Sequence, residues 1–291
     1  MSTLLVFSDI HANLEALQAV LDHAQQTHAR PDQIWCLGDI VGYGPDPGAC
    51  IDLLRGGHPL TSQSPTIVVK GNHDLGTIKI GQHQADDTTS AAVRESWDWT
   101  YQVLSEEQRR YLDQLPEQLI FTDLPQSVLL VHAAPPNDLN TYLRVPADVE
   151  ARLHELQQRI CFFGHTHLAC YFECDRTRHE VKPRLFPPNA ALPVQIQSDA
   201  IFINPGTVGQ PRWGRLRPKT PEQLGYPLSY EGVREASYLW VDLQAERCLV
   251  QCHYVSYSYQ QTISKMQRLA GQSPALSVPQ RWITRLELGL R

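Results

Sequence analysis

Five apolar runs in this chain end on side chains that bind metals. TLLVFSD leads to Asp9 and His11, QIWCLGD to Asp39, TIVVKGN to Asn72 and His73, SVLLVHA to His132, and ICFFGH to His165 and His167. A lone histidine at a strand end is ordinarily just a hydrogen-bonded residue. Carboxylate, amide and imidazole recurring at five successive strand ends are harder to credit to chance, because ligand crevices in α/β proteins lie beyond the carboxyl ends of the strands. These side chains are therefore expected to meet at one site. They take five of the twelve histidines. The others, such as His23, His58 and His154, fall in helices or loops and read as solvated positions.

The number of donors decides the number of ions. One catalytic zinc takes about three protein ligands and keeps a position open. Asp9, His11, Asp39, Asn72, His132, His165 and His167 offer seven, which is an inventory for two ions sharing a bridging carboxylate. Imidazole, carboxylate and amide without thiolate suit Mn, Fe, Zn or Ni better than Ca or Mg, with manganese favoured. In ICFFGHTH an extended backbone would put His165 and His167 on one side and Thr166 on the other.

The elements that must carry these residues follow from the hydrophobic pattern. Through the first two thirds, strand-like runs alternate with helical ones, the mark of an α/β architecture. Asn13 is a good N-cap for a helix whose stripe is Leu14, Leu17, Val20, Leu21 and Ala24. In DPGACIDLLRGG, Asp46 is expected to cap, Pro47 suits the first helical turn, and Gly56 and Gly57 end it. Two helices are expected between 85 and 116, a helical insertion whose second member opens on the capping box Ser105 to Gln108 and stops at Pro116. PADVEARLHELQQ places Val149, Leu153 and Leu156 on one face. Beyond residue 168 the runs CYFECD, AIFINP, ASYLWVDL and CLVQCHYVSYSY read as a second, more antiparallel sheet. Residues 213 to 230 read as an exposed loop, and 259 to 291 as a helical C-terminal extension. One domain over 1–291 accounts for all of this.

The bulk numbers leave room for a sizeable core: 291 residues, 42% hydrophobic and 19% charged. No apolar run reaches the roughly 18 residues of a membrane helix, and no leader is evident, so no membrane contact and a cytoplasmic location are expected. A formal net charge of -6 gives no indication of nucleic-acid binding. Seven cysteines without framework spacing fit reduced thiols. Cys170 with Cys174 and Cys248 with Cys252 could form a four-thiolate zinc site if their strands were neighbours. Buried thiols are the better reading.

The motifs DIH, GDIVG, GNHD, VHA and GHTH, in this order, resemble the calcineurin-like metallophosphoesterases, and INPGTVGQPR is similar to the family's small prokaryotic phosphodiesterase branch. The resemblance covers roughly the first 170 residues. It implies a four-layer α/β/β/α sandwich of two mixed sheets flanked by helices. It also implies that Asp9, His11, Asp39 and His167 hold one ion, that Asp39, Asn72, His132 and His165 hold the other, and that Asp39 bridges. The activity to expect is a dinuclear-metal phosphoesterase, foremost a phosphodiesterase on a small phosphoester, with a metal-bound hydroxide as nucleophile. His73 would be the general acid, oriented by Asp74, and Arg212 a candidate for the substrate phosphate. Gly42 and Tyr43 stand where protein serine/threonine phosphatases and dinucleoside tetraphosphatases usually carry an aspartate and an arginine, which demotes those substrates. A phosphomonoesterase or protein phosphatase is the alternative within enzymes, and a non-catalytic scaffold the alternative outside them. The oligomeric state does not follow from these residues.

Overall fold

The apolar runs fold as strands that stop where their polar ends begin. A computed structural model describes residues 1–84, 89–186, 194–196, 198–210, 234–272, 283, 284 and 286. In chain order the elements are β1 (Ser2–Phe7), α1 (Leu14–Thr27), β2 (Gln33–Cys36), α2 (Pro47–Asp52), α3 (Pro59–Gln63), β3 (Thr66–Val68), α4 (Asn72–Gly81), α5 (Ala91–Val103) and α6 (Glu106–Gln114). There follow β4 (Gln118–Phe121), β5 (Val128–Val131), α7 (Pro146–Leu153), β6 (Ile160–Phe162), β7 (Ala169–Asp175), β8 (Glu180–Leu185), β9 (Val194–Ile196), β10 (Ala200–Pro205), β11 (Ala236–Leu243), β12 (Cys248–Val255) and α8 (Tyr259–Gln272).

Two six-stranded sheets result, in the orders β3-β2-β1-β11-β12-β9 and β4-β5-β6-β10-β7-β8. Both are mixed: β1 runs parallel to β2 and antiparallel to β11, while β10 runs parallel to β6 and antiparallel to β7. The strands after residue 168 therefore do not form a sheet of their own. β11 and β12 complete the first sheet, while β7, β8 and β10 complete a second that also holds β5 and β6. Chain order could not reveal this, because β1 finds its partner β11 from the far end of the chain.

Alternation along the strands builds three apolar layers. Leu4, Val6, Trp35, Leu130, Phe162, Ile203 and Val241 meet between the sheets. Leu5, Phe7 and Ile34 face outward onto Leu17, Val20 and Leu21 of α1, and Val131, Phe163 and Phe202 face outward onto Val149 and Leu153 of α7. Each fully buried Leu or Val contributes about 1.5–3 kcal/mol by leaving water. The order of layers is helix, sheet, sheet, helix.

The helix signals are mostly met. Asn13 accepts from the Ala16 amide at 3.2 Å, and the Ser105 to Gln108 box is made in both directions. Asp46 precedes α2 but makes no side-chain cap bond, because its carboxylate is taken by Lys265 at 2.7 Å. After α2 the chain makes one wider π turn, Leu53–Gly57, in which Gly56 takes φ 107°, open to glycine. All seven cysteines are buried and free. The two candidate pairs lie on different sheets, Cys170 and Cys174 on β7, Cys248 and Cys252 on β12, so the four-thiolate site is not formed. His58 is buried, caps α3 and lies 2.9 Å from Asp22, so it is not a solvated position, while His23 is half-buried, 2.8 Å from the Tyr238 hydroxyl. Among the described residues no helix is long and apolar enough to cross a membrane. The loop at 213–230 lies outside the described residues, as does most of the extension beyond α8.

Candidate metal centre

The strand ends converge through loops laced to one another. Asp9 N donates to Gly38 O at 3.0 Å and His11 N to Asp39 O at 2.9 Å, joining the ends of β1 and β2. Gly38, at φ 91°, lies so close to Gly71 that an added Cβ would stand 2.6 Å from its amide nitrogen. That approach brings the Asp39 and Asn72 loops together. His165 N donates to Asp9 Oδ2 at 3.0 Å, and Asn204 at the end of β10 braces the GHTH turn through Gly164 O at 2.6 Å and Thr166 Oγ1 at 2.7 Å. Asn204 is a further polar strand end, legible by the same pattern that marked the others.

His165 and His167 do reach the site, but not by alternation along an extended chain. Strand β6 ends at Phe162, and the two histidines take φ 62° and 61°. Asp9, His11 and Asp39 are left-handed too, at 57°, 49° and 54°. Five donors in a region that L side chains visit rarely is a concentration of backbone strain at one spot.

The donors fall into overlapping groups. Asp9, His11 and His167 offer ligand atoms within 4.8 Å of one another, as do Asp39, His132 and His165, and His11, Asp39 and His73 form a third set. In the first, Asp9 Oδ1 stands 3.0 Å from His167 Nε2 and 3.7 Å from His11 Nε2, and the two Nε2 atoms are 3.2 Å apart. Asp39 Oδ2 lies 3.8 Å from His11 Nε2 and 3.3 Å from His132 Nε2, between the two groups. Asn72 Oδ1 is 3.0 Å from His132 Nε2.

These atoms fit a metal better than they fit each other. Asp9 Oδ1 is buried and makes no hydrogen bond, although His167 Nε2 is within 3.0 Å, so the two are not aligned as donor and acceptor. Ligands at about 2.0–2.1 Å from one tetrahedral ion stand roughly 3.3 Å from each other, which is the spacing found. The far sides of the rings agree. A carbonyl can only accept, so His132 Nδ1 carries a proton toward Leu37 O at 2.7 Å, and His167 Nδ1 toward Gln210 O at 2.9 Å. Both therefore turn an Nε2 lone pair to the site. His165 bonds Asn140 O through Nε2 at 3.2 Å, which leaves Nδ1 for ligation.

The electrostatics show how closely the groups depend on one another. Burial alone would raise Asp9, but the charge of the nearby His167 holds it well below the usual carboxylate range. Asp39 is held down in the same way, against burial, by His132 and His73. Burial opposes a charge on His132, yet Asp39 and Asp9 push it up to about 9. His165, desolvated beside His132, is pushed down to about 3. A cation among these carboxylates would stand where His132 otherwise holds a proton.

Asp74 does not orient His73. Its buried carboxylate accepts from the amides of Gly71 at 2.9 Å, Asp39 at 2.9 Å and Val41 at 3.2 Å, fastening the β2 and β3 loops together. Burial and the nearby Asp39 charge push it up to about 7. His73 itself is buried beside the donors, with its ring 5.0 Å from that of His11 and 4.3 Å from that of Tyr43. Its Nδ1 accepts from the indole of Trp97 at 3.0 Å. Trp97 carries no signal in the sequence that ties it to the site. Arg212 lies outside the described residues.

Comparison with known proteins follows the same lines. The family model of the calcineurin-like phosphoesterase superfamily domain matches residues 2–219. An uncharacterized protein of Methanocaldococcus jannaschii is 33% identical over 217 residues, 73% of this chain and 79% of that one. The symmetrical bis(5'-nucleosyl)-tetraphosphatase of Azotobacter vinelandii is 29% identical over 149 residues, so this chain spans about half the length of that relative, 50% of each. Among solved structures, a metallophosphoesterase from Sphaerobacter thermophilus matches with a TM-score of 0.71 and 32% identity over 99% of both chains. A hypothetical protein from Pyrococcus horikoshii matches with a TM-score of 0.69 over 98% of both at 17% identity, a likeness of fold.

Proposed function

As a member of the calcineurin-like phosphoesterase superfamily this chain is a phosphoester hydrolase, and we propose that it is a phosphodiesterase working with two divalent transition-metal ions, manganese foremost. The observation that carries the reading is the pair of ligand groups, Asp9, His11, His167 and Asp39, His132, His165, with Asp39 Oδ2 between them. Asn72 joins the second group. Bound there, such ions supply water of lowered pKa and neutralise charge on the phosphoryl oxygens.

The residues of the chain do the rest. Asp39 holds the two halves in register. His132 and His167, fixed in tautomer by Leu37 O and Gln210 O, keep their lone pairs aimed inward. His73 is assigned to the departing oxygen and offers it a hydrogen bond as charge develops there, electrostatic help of a kind typically worth about 10²–10³ in rate. The tetraphosphatase relatives favour a small phosphodiester over a polymer as substrate, and seven unpaired thiols favour a cytoplasmic setting.

Metal analysis of the purified protein, followed by hydrolysis of p-nitrophenyl phosphate and its bis-ester with Mn, Fe, Zn, Ni and Mg, tests this. We expect about two ions per chain and faster turnover of the diester. A preference for the monoester would overturn the phosphodiesterase reading, and one ion or none would overturn the two-metal reading.

A further inference from the structure

We infer that Trp97 is a positioning residue, which fixes the tautomer of His73 so that the ring presents an Nε2 hydrogen to the metal centre. The inference rests on the role assigned to His73 above. An indole nitrogen can only donate. Its bond to His73 Nδ1 at 3.0 Å therefore makes Nδ1 the acceptor, and the single proton of the neutral ring resides on Nε2. A ring nitrogen of His73 lies within 4.8 Å of ligand atoms of His11 and Asp39. With Nδ1 turned to the indole, the nitrogen left to serve that side is Nε2.

The surroundings are built for this contact. Trp97 is 7% exposed and meets His73 edge-on, with ring centroids 5.7 Å apart at 81°. It lies against Gly76, one helical turn after His73 on α4, where an added Cβ would come within 2.4 Å of the indole. Only a residue without a side chain lets the indole come so near to the helix that carries the histidine. The preceding residue, Ser96, accepts the Tyr43 amide at 2.9 Å and so fastens α5 to the loop whose ring covers the other side of His73. Helix α5 thus reaches His73 directly through the Trp97 indole and its neighbouring loop through Ser96. In relation to His73 it does the work the sequence suggested for Asp74, whose carboxylate is spent on three amides.

The test has one arm without metal and one with it. In chelated protein labelled with ¹⁵N-histidine, the His73 signals, identified by their loss in His73→Asn, should show a protonated Nε2 and an unprotonated Nδ1. Trp97→Phe should shift that population toward the other tautomer. Gly76→Ala, which displaces the indole without removing it, should do the same. In metal-loaded protein Trp97→Phe should lower kcat on an alkyl phosphodiester about 3–10-fold, the rate equivalent of one neutral hydrogen bond, with KM little changed and a smaller loss on the bis-p-nitrophenyl ester. In a His73→Asn background the same substitution should cost nothing further. An unchanged tautomer in Trp97→Phe, or equal losses on both esters that persist without His73, would overturn the inference. Absence of metal-stimulated hydrolysis by the wild-type chain would instead remove the phosphodiesterase reading and leave the tautomer result to decide the role of Trp97.

Discussion

Each left-handed non-glycine residue stores strain on the order of 1 kcal/mol or more, and Asp9, His11, Asp39, His165 and His167 all carry it. The loops hold these conformations through bonds such as Asp9 N to Gly38 O and His165 N to Asp9 Oδ2, and a bound cation would offset the cost. Losses should then follow the grouping of donors. His167→Asn and His165→Asn are each expected to leave about one ion per chain, and Asp39→Asn less than one. Each should lower hydrolysis at least 100-fold, the upper end of what changes beyond the ligands themselves cost. Elemental analysis beside activity checks this, and variants that all lose both ions alike would argue against two separable halves. The donors were legible in the sequence because polar residues at strand ends need no tertiary knowledge. The approach of His165 and His167 was not, since it depends on φ angles that ICFFGHTH does not announce. The link from Trp97 to His73 crosses 24 positions with no periodicity to reveal it.

At the scale of elements, caps and stripes were readable because their physics is local, and Asp46 was misread because a distant lysine competes for its carboxylate. The junction of α1 with the first sheet was equally hidden. His23 and His28, at the end of α1, pack against His253 of β12, with His28 Nε2 at 3.0 Å from His253 Nε2 and the Tyr238 ring stacked 4.8 Å from that of His253. Burial, reinforced by His28 and His23, pushes His253 down to about 4, and burial lowers the other two. The folded chain therefore binds fewer protons than the unfolded one between about pH 6.5 and 4. This share of stability is complete above pH 6.5 and drains away as pH falls toward 4. Between pH 7.5 and 5 the Tm of chelated wild type should drop several degrees further than that of His253→Phe, at about 2–4 °C per kcal/mol for a chain of this size. Comparing both proteins without metal lets the titration of the metal centre cancel. Parallel Tm profiles would show that the three imidazoles do not share this burden.

For the whole molecule, the problem is to hold the two ends of the chain on one site. Pairing β1 with β11 joins them within the first sheet, which no local pattern could disclose, and α8 joins them again at the surface. Lys265 of α8 reaches Glu15 at 2.6 Å and Asp46 at 2.7 Å, and the Thr262 hydroxyl lies 2.8 Å from Glu15 Oε2. Glu15 opens α1 just after the loop of Asp9 and His11, and Asp46 follows the loop of Tyr43, so one ammonium ties both site-bearing loops to the C-terminal helix. Glu15 and Asp46 are only 10% and 20% exposed. Lys265→Met leaves these two carboxylates facing each other, at a cost of about 2–3 kcal/mol. That is below the 3–5 kcal/mol of a fully buried pair, because Lys265 is itself 27% exposed. Burial already raises Asp46, and losing the lysine removes what opposes that rise. A carboxylate raised in the folded state contributes stability that is present at low pH and lost as pH increases. Denaturant titrations should accordingly find Lys265→Met more damaging at pH 8 than at pH 5, with Asp46→Asn restoring part of the loss. A penalty independent of pH and indifferent to Asp46→Asn would mean that packing of Ile263 and Met266, and not this ion triad, anchors the helix.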